Sequence, residues 1–443
     1  MNFFIIEKAL KFKTSKRTST MGSTSQQSLE HTRIISVVDT ALKHIDPRLI
    51  NHGERVAYIA TTLCLYSKLE GRIDLKKLLF LSLFHDIGAF KTEEIEKMME
   101  FENDNVWNHA IYSYLFLKNI TSLGESAQAV LHHHTPYSAL DHHSPWTPYA
   151  ALLFFADRVD LSVQNNTLEQ LFTLRADTLS PELCTIFEQA NHNNALVAPL
   201  QNGTYQAKLY SVLHRLEYSQ EQVLEYLKLL VFSIDFRSPY TVTHTINTTA
   251  ISQQIGRLMG FSQLHLAELS FGAFLHDIGK IGIPFEILEH PGRLSAAQME
   301  VMKTHAVITE EILQVTVPAR ICRIAARHHE KLDGSGYPHG LTEKELTVSE
   351  RIVAIADIIS ALTCQRSYKQ SFPKEKTLEI LLSMRDDGKI CPAVCEVVLQ
   401  HYDEIMRITD ASQDPVIQMY NSISEEYQKL CATFSAEPFY STC

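Results

Sequence analysis

Histidine and aspartate residues occur in the same order in the two halves of the chain. The first half carries His52, His85, Asp86, His109, His132, His133 and Asp157, and the second half carries His244, His276, Asp277, His305, His328, His329 and Asp357. Corresponding residues lie 191 to 200 positions apart, and His-Asp-Ile-Gly occurs in both halves. Because scattered surface residues would not keep one order with so little drift, the pattern predicts a duplicated domain with one set of metal ligands in each copy.

The residue types indicate the chemistry of these sites. Imidazole and carboxylate together suit divalent ions such as iron, manganese, nickel or zinc, and the absence of cysteine ligands argues against a structural zinc site. An adjacent His-Asp pair lets the imidazole bind one ion while the carboxylate bridges to a second. Two ions held about 3.5–4 Å apart can generate a hydroxide and stabilise both oxygens of a phosphoryl displacement. Phosphoester hydrolysis is therefore the predicted reaction class.

Helices are predicted to position these side chains. Apolar residues recur at intervals of three and four, for example at Val56, Ile59, Ala60 and Leu63, which is typical of amphipathic helices. Alternation with a period of two is scarce, so the sequence predicts an all-α fold.

The domain organisation follows from the length and from one polar stretch. A chain of 443 residues is expected to form two or three domains. Residues 191–205 are polar and rich in helix breakers, which predicts a boundary there. We predict a flexible arm over 1–28, a first domain over 29–200, a linker over 201–220, a second domain over 221–412, and a C-terminal helix and tail over 413–443. The four-residue apolar cluster near the N-terminus is too short for a signal peptide or a membrane span.

Charge and cysteine content exclude several classes of function. The net charge of −11 argues against bulk binding of DNA, RNA or an anionic membrane, although a small anionic ligand remains compatible with local cations. The eight cysteines form no Cys-x-x-Cys pair, which predicts reduced thiols in a cytoplasmic protein. Cys391 and Cys395 are expected to pack in a core rather than to bind metal.

The second copy resembles the HD-GYP subgroup of the HD-superfamily phosphohydrolases, which are cyclic-dinucleotide phosphodiesterases, and the first copy resembles an HD domain. The resemblance covers roughly residues 221–410. It rests on Phe-Leu-His-Asp-Ile-Gly-Lys-Ile-Gly-Ile-Pro at 274–284, Met-Lys-Thr-His at 302–305, His-His-Glu-Lys-Leu-Asp-Gly-Ser-Gly-Tyr-Pro at 328–338, Arg-Ile-Val-Ala-Ile-Ala-Asp at 351–357 and Arg-Ser-Tyr-Lys at 366–369. It implies two tandem helical HD domains, the second of the HD-GYP type.

The resemblance also implies roles for individual residues. The seven histidines and aspartates of the second copy would bind two divalent ions, iron or manganese by preference and nickel as a third candidate. His276, Asp277 and Lys280 would be catalytic. Substrate contacts would come from Lys280, Arg366, Lys369, Asp333 and Tyr337. Tyr240 stands where trinuclear members carry a glutamate, so two metals are expected rather than three.

Two departures from the family pattern concern the second copy. Ser360 stands where an aspartate usually follows Asp357 by three residues, and Ser367 replaces a proline. These changes leave the predicted metal ligands intact but bear on substrate recognition.

The first copy keeps seven ligand positions but lacks the cationic ones. Ala89 stands at the position of Lys280, residues 135–137 replace the Gly-Tyr-Pro loop, and Asn166 and Glu169 replace the basic pair. A second metal site for a smaller phosphomonoester is therefore expected, such as a 5′-nucleotidase that trims the linear product. A structural or regulatory role is the equal alternative. The remaining histidines of this region, His134, His142 and His143, are assigned to a solvated loop.

The tandem layout resembles phosphodiesterases that act on 3′3′-cyclic GMP-AMP, with cyclic di-GMP as a close second substrate and a linear 5′-phosphorylated dinucleotide as the product. The alternative is a catalytically weak sensor or scaffold that binds a GGDEF-domain protein. The sequence leaves a homodimer open.

Overall fold

The computed structural model describes residues 47–67, 69–89, 107–173, 178–216, 218–236, 243–288, 290, 292–315, 317–364 and 371–436. Their regular structure is helical, and the only β-type pairing in these ranges is one isolated bridge between Asp333 and Thr342. The predicted all-α fold is confirmed. The described residues fall into two compact units: an N-terminal unit of residues 47–218 and 422–436, and a C-terminal unit of residues 219–421. The predicted N-terminal arm, Tyr240, Arg366, Ser367 and Lys369 lie outside the described residues.

The described part of the N-terminal unit contains a bundle of helices. They are α1 (Pro47–Tyr66), α2 (Leu75–Phe84), α3 (Trp107–Ile120), α4 (Gln128–Leu131), α5 (Thr147–Gln164), α6 (Leu168–Leu171), α7 (Pro181–Ala190), α8 (Val197–Asn202) and α9 (Tyr205–Leu213). Helix α1 packs against α2 and α5. Helix α2 begins after Asp74, whose carboxylate accepts the backbone N–H groups of Lys76 and Lys77. Because α2 is apolar on most of its surface, it lies in the core and delivers His85 to a buried position.

The C-terminal unit repeats this arrangement. Its described helices are α10 (Gln220–Asp235), α11 (His244–Leu258), α12 (Gln263–Leu275), α13 (Phe285–Leu288), α14 (Ala296–Gln314), α15 (Ala319–Ala326), α16 (Val348–Thr363), α17 (Lys374–Asp386) and the first part of α18 (Pro392–Ala436). Helix α11 packs against α12 and α16, as α1 does against α2 and α5. Cys391 and Cys395 are buried in its core, as predicted.

The boundary between the units differs from the prediction. Residues expected to form a linker instead form helix α9, which packs on α1. Tyr205 is buried, and the side chains of Gln206 and Tyr210 donate hydrogen bonds to Glu54 at 2.9 and 2.7 Å. Gly203 ends α8 in the left-handed conformation, so the helix breakers turn the chain back onto the bundle rather than out of it. The units divide at Tyr218 and Ser219.

The C-terminal helix begins earlier than the predicted segment of residues 413–443. Helix α18 runs from Pro392 to Ala436 and contains Pro415. Its residues from Ser422 onward group with the N-terminal unit. There, Tyr427 stacks on Tyr112 with ring centroids 4.0 Å apart, and its hydroxyl donates to Asn108 Oδ1.

No helix among the described residues has the length and apolar character required to cross a membrane.

Candidate metal centres

The ends of helices position most of the predicted ligands of the C-terminal unit. Helix α11 begins with its histidine, the His-Asp pair follows α12, the tandem histidines follow α15, and α14 and α16 carry one ligand each inside the helix. The structure brings all seven together, and we name them the C-terminal centre: His244, His276, Asp277, His305, His328, His329 and Asp357.

Glycine in the His-Asp-Ile-Gly motif permits close packing behind the ligands. A Cβ atom on Gly279 would lie 2.0 Å from the carbonyl oxygen of His305 and 2.5 Å from the backbone nitrogen of Thr309. The Gly279 N–H donates to the Thr309 hydroxyl at 3.0 Å. The first copy repeats the contact, since the Gly88 N–H donates to the Ser113 hydroxyl at 2.9 Å. The glycine therefore lets the helix that carries the third histidine, α14 in this unit and α3 in the N-terminal unit, approach the His-Asp pair.

Asp277 lies between two groups of histidines. Its Oδ2 atom is 3.6 Å from His244 Nε2 and 3.2 Å from His276 Nε2. Its Oδ1 atom is 3.6 Å from His305 Nε2 and 3.8 Å from His328 Nε2. The carboxylate thus presents one oxygen to each group, which is the geometry required to bridge two cations.

Asp357 completes both groups. Its Oδ1 atom is 3.1 Å from His244 Nε2, and its Oδ2 atom is 3.8 Å from His329 Nδ1. Ligand atoms of His244, His276 and Asp357 lie within 4.8 Å of one another, as do those of the second set, His305, His328 and His329. The burial of His329 lowers its pKa to about 3, so that ring is neutral and able to donate a lone pair.

Backbone contacts fix the orientation of three histidine rings. The Nδ1 atoms of His276, His305 and His328 lie 2.6–2.7 Å from the carbonyl oxygen of the residue three positions earlier. Each Nδ1 therefore carries the proton, and each Nε2 faces the centre with its lone pair. Two ligand atoms of this centre, His276 Nε2 and Asp277 Oδ1, are buried without a hydrogen-bond partner. Orphaned lone pairs that converge with carboxylates fit a site for divalent cations.

The electrostatics of the centre agree with cation binding. Burial opposes protonation of His244, but the hydrogen bond and charge of Asp357 outweigh it and raise the pKa of His244 to about 10. Burial also opposes ionisation of Asp277, yet the neighbouring His276 and Lys280 hold its pKa well below the usual range. The site is therefore built to stabilise positive charge beside two carboxylates.

The N-terminal unit repeats this geometry around Asp86. Its Oδ2 atom is 3.5 Å from His52 Nε2 and 3.2 Å from His85 Nε2. Its Oδ1 atom is 3.5 Å from His109 Nε2 and 3.4 Å from His133 Nε2. The buried atoms His85 Nε2, Asp86 Oδ1 and His133 Nε2 have no hydrogen-bond partner. The N-terminal unit therefore has a second arrangement of ligands that could hold two cations.

The histidine pair of this centre differs from the predicted one by one residue. His133 occupies the place of His328, with Nδ1 2.6 Å from the carbonyl oxygen of Val130. His134 then corresponds to His329: its ring is 11% exposed, its Nε2 is 3.0 Å from His109 Nε2, and its Nδ1 is 4.0 Å from Asp157 Oδ2. We name the resulting set the N-terminal centre: His52, His85, Asp86, His109, His133, His134 and Asp157.

His132, predicted to be a ligand, packs elsewhere. Its ring stacks on Trp146 with centroids 4.6 Å apart, and its Nδ1 lies 3.3 Å from the Thr135 hydroxyl. Three consecutive histidines follow α4, and only the direction in which each leaves the helix end decides which two face the aspartates. The assignment of His134 to a solvated loop was therefore wrong. His142 and His143 are exposed, as predicted.

The predicted substrate residues occupy different positions. Lys280 pairs with Asp277 Oδ2 at 2.5 Å and is 23% exposed, so its ammonium group borders the C-terminal centre. Tyr337 packs on His329 with ring centroids 4.6 Å apart. Asp333 is exposed, and its carboxylate accepts the N–H and hydroxyl of Ser335, so it shapes the loop that follows the histidine pair.

Glu330 holds this loop from inside, a role that was not predicted from the sequence. It is buried, and its two carboxylate oxygens accept the N–H groups of His339 and Leu341 at 2.7 and 2.9 Å. Gly336 is required there because a Cβ atom would lie 2.5 Å from Glu330 Cα. The position of Glu330 in the motif, directly after the histidine pair, is the only sequence signal for this role.

A second feature that was not predicted lies behind the first histidine of each centre. In the N-terminal unit, His52 Nδ1 is 2.8 Å from Asp160 Oδ2. In the C-terminal unit, His244 Nδ1 is 2.8 Å from the Ser360 hydroxyl. The sequence pattern linked Ser360 to substrate recognition, but the structure places it against a predicted metal ligand.

The two clusters coincide with two matches to one family. The HD-domain pattern matches residues 49–162 and residues 228–394. This chain belongs to the HD superfamily. It carries two HD domains in tandem, and the matched ranges contain the ligands of the two centres.

Among proteins similar to this tandem HD chain is the 3′3′-cGAMP-specific phosphodiesterase 1 of Vibrio cholerae, with 25% identity over 82% of this chain and 89% of that protein. A cyclic di-GMP phosphodiesterase of Thermotoga maritima is 37% identical over 44% of this chain and 54% of its own length. A crystal structure of a cyclic GMP-AMP-specific phosphodiesterase from Vibrio cholerae has a TM-score of 0.54 at 20% identity and covers 84% of this chain and 97% of that one. The last likeness supports the fold.

Proposed function

We propose that the C-terminal HD domain is a metal-dependent phosphodiesterase that hydrolyses a cyclic dinucleotide to a linear 5′-phosphorylated dinucleotide. 3′3′-cyclic GMP-AMP is the favoured substrate, because the similarity to a protein of that specificity extends over both HD domains, and cyclic di-GMP is second. The observation that carries the proposal is the position of Asp277, which presents one oxygen to each of two histidine groups.

The ligands would hold two divalent cations, iron or manganese by preference. Divalent cations supply Lewis acidity that activates water and neutralises the charge of a phosphoryl group. His244, His276 and Asp357 would hold one ion, the second histidine set would hold the other, and Asp277 would bridge them.

Lys280 would bind the phosphate. Its ammonium pairs with Asp277 Oδ2, the oxygen that also faces His244 and His276. Cations bound to that oxygen would repel the ammonium toward the solvent side, where it can pair with a phosphate oxygen. Arg366 and Lys369 remain proposed as additional phosphate ligands. This local positive charge would offset the acidic surface of the chain, whose net charge is −11.

We further propose that the N-terminal HD domain removes the 5′-phosphate of the linear product. Its ligand set includes His134 and matches the second set in the C-terminal centre. The position of Lys280 is occupied by Ala89, which is fully buried, so no cation borders the aspartate from that position. A metal centre without a lysine at this position suits a smaller phosphomonoester, because the metal ions alone would then neutralise most of the phosphate charge.

The test is an assay with purified full-length protein loaded with manganese or iron. Cyclic di-GMP, 3′3′-cyclic GMP-AMP and cyclic di-AMP are incubated separately, and products are identified by mass. Asp277→Ala should abolish ring opening. Asp86→Ala is the matched variant in the other centre and should retain ring opening but accumulate the 5′-phosphorylated dinucleotide.

Three outcomes contradict parts of the proposal. Binding of a cyclic dinucleotide without turnover would favour a sensor or a scaffold for a GGDEF-domain protein. Ring opening that survives Asp277→Ala would contradict the role of the C-terminal centre. A parent protein that never removes the 5′-phosphate would contradict the nucleotidase role.

We also propose a cytoplasmic location, because the cysteines in the described residues form no disulfide, as expected for a reducing compartment.

A further inference from the structure

The first histidine of each centre has a different partner behind it. Asp160 Oδ2 lies 2.8 Å from His52 Nδ1, so a carboxylate accepts the ring proton in the N-terminal centre. In the C-terminal centre, the Ser360 hydroxyl donates to the His244 carbonyl oxygen at 3.2 Å and accepts from His244 Nδ1 at 2.8 Å. Both arrangements leave Nε2 facing the aspartates. The first histidines are thus oriented alike but supported by different chemical groups.

The difference extends to the neighbours of these two partners. Asp160 is fully buried and accepts two hydrogen bonds from Arg55, at 2.6 and 2.9 Å. Arg55 lies three residues after His52, and the residue three positions after His244 is Asn247.

The third member of each group also corresponds. Gln164 Nε2 is 3.4 Å from Asp160 Oδ1, and Gln164 follows Asp157 by seven residues. Cys364 follows Asp357 by the same interval, lies 3.7 Å from the Ser360 hydroxyl, and accepts a hydrogen bond from Asn247 at 3.0 Å. In the N-terminal centre, an aspartate–arginine ion pair with a neighbouring glutamine therefore corresponds, position by position, to serine, asparagine and cysteine in the C-terminal centre.

We propose that these groups position the first histidine and give the two centres unequal metal affinity, with the N-terminal centre the tighter. A carboxylate that accepts the Nδ1 proton increases the donor strength of the ligating nitrogen more than a hydroxyl does, and loss of such a partner typically lowers metal affinity 10–100-fold. Asp160 and Ser360 are positioning residues, because each acts through a histidine. The inference rests on the proposed binding of metal at both centres.

The relation between the partners also predicts which metal is lost first. The histidines affected, His52 and His244, belong to the ion position shared with the last aspartate of each copy. Asp160 and Ser360 direct their hydrogen bonds to these first histidines and not to the three histidines of the second ion position. We therefore expect partial demetallation to empty the His244 position of the C-terminal centre before the His52 position of the N-terminal centre.

Cobalt(II) titration with chelator competition, followed by visible absorption, tests this inference. The N-terminal centre is measured in the full-length chain carrying His276→Ala and Asp277→Ala. The C-terminal centre is measured in the chain carrying His85→Ala and Asp86→Ala. The tightest cobalt ion of the N-terminal centre should bind at least tenfold more tightly than that of the C-terminal centre.

The second part of the experiment replaces the residues that support His52 with those that stand at the corresponding positions of the C-terminal centre. Arg55→Asn combined with Asp160→Ser installs the neutral pair without leaving a buried charge unpaired, and should weaken the N-terminal centre 10–100-fold. Glu54→Gln is the matched control, because Glu54 is a buried carboxylate on the same helix that bonds to α9 and not to His52. It should leave cobalt affinity within about threefold.

Ser360 is tested by rescue. Ser360→Ala should weaken the C-terminal centre and Ser360→Thr, which keeps the hydroxyl, should restore it. For the variant that combines Arg55→Asn with Asp160→Ser, tryptophan fluorescence checks folding, because both tryptophans, Trp107 and Trp146, lie in the N-terminal unit.

Affinities within threefold of each other at the two centres of the parent chain would overturn the inference, even if the exchanged variant fails to fold. An exchanged variant that is folded and binds cobalt like the parent would also overturn it, while the metal-dependent function would stand. Absence of cobalt binding at both centres would overturn the inference and the proposed function together.

Discussion

Gly88→Ala tests whether the glycine of the His-Asp-Ile-Gly motif is required for close packing. A Cβ atom at Gly88 would lie 2.3 Å from the carbonyl oxygen of His109 and 2.5 Å from the backbone nitrogen of Ser113. Ordinary contacts begin at 3.4 Å, so helix α3 would have to retreat by about 1 Å. Overpacking of this kind costs about 1–3 kcal/mol. Loss of the Gly88 to Ser113 hydrogen bond adds about 1–3 kcal/mol. We expect the free energy of unfolding of the N-terminal unit to fall by about 2–6 kcal/mol.

The assay is urea unfolding followed by tryptophan fluorescence, because both tryptophans lie in this unit. With a slope of about 2 kcal/mol per molar urea, the midpoint should fall by about 1–3 M. The same retreat moves His109, so cobalt affinity of the N-terminal centre should fall as well. Gly71→Ala is the matched control in the same unit, since a Cβ atom added there would have no neighbour within 4 Å and the backbone of Gly71 is not left-handed. The reasoning is refuted if both variants show the midpoint and cobalt affinity of the parent.

Four further changes separate the remaining roles. His134→Ala should lower cobalt affinity of the N-terminal centre at least tenfold, whereas His132→Ala should leave it unchanged; equal effects in the titration would contradict the assignment. In the metal-free protein, burial opposes protonation of His52, but Asp157 and Asp160 outweigh it and raise its pKa to about 10. The stabilisation is complete below about pH 6.5 and is lost as the pH rises through 10, so the urea midpoint should fall over that window and His52→Ala should flatten the decline. Lys280→Met should reduce kcat/KM for the cyclic dinucleotide about 10²-fold, while the metal content measured by elemental analysis stays at the parent level. Phe434→Ala should destabilise the N-terminal unit by about 3 kcal/mol, because this buried ring stacks on Trp107, and an unchanged tryptophan-monitored midpoint would show that the helix end does not support the unit.

The structure changes the interpretation of two sequence features, the predicted linker and Ser360, while the candidate metal ligands remain histidine and aspartate. Residues 201–220 were predicted to form a linker, but the burial of Tyr205 and the hydrogen bond from Tyr210 to Glu54 attach helix α9 to the N-terminal unit. Helix breakers mark a change of direction, and packing decides whether the chain leaves the domain after it. In the sequence, Ser360 stands where the family usually carries an aspartate. Only the structure shows that its hydroxyl lies against His244 Nδ1.

Sequence alone predicted the helical class, the duplication and most of the candidate ligands of both centres. Those properties are encoded in residue type, periodicity and order, which do not depend on knowledge of distant contacts. The choice among three consecutive histidines at 132–134 was not encoded in this way, because one-residue shifts preserve both type and order. The tertiary structure decided it through the end of α4, where His132 turns to Trp146 while His133 and His134 face the aspartates. It also revealed the supporting groups behind His52 and His244, since these join residues more than 100 positions apart in the chain.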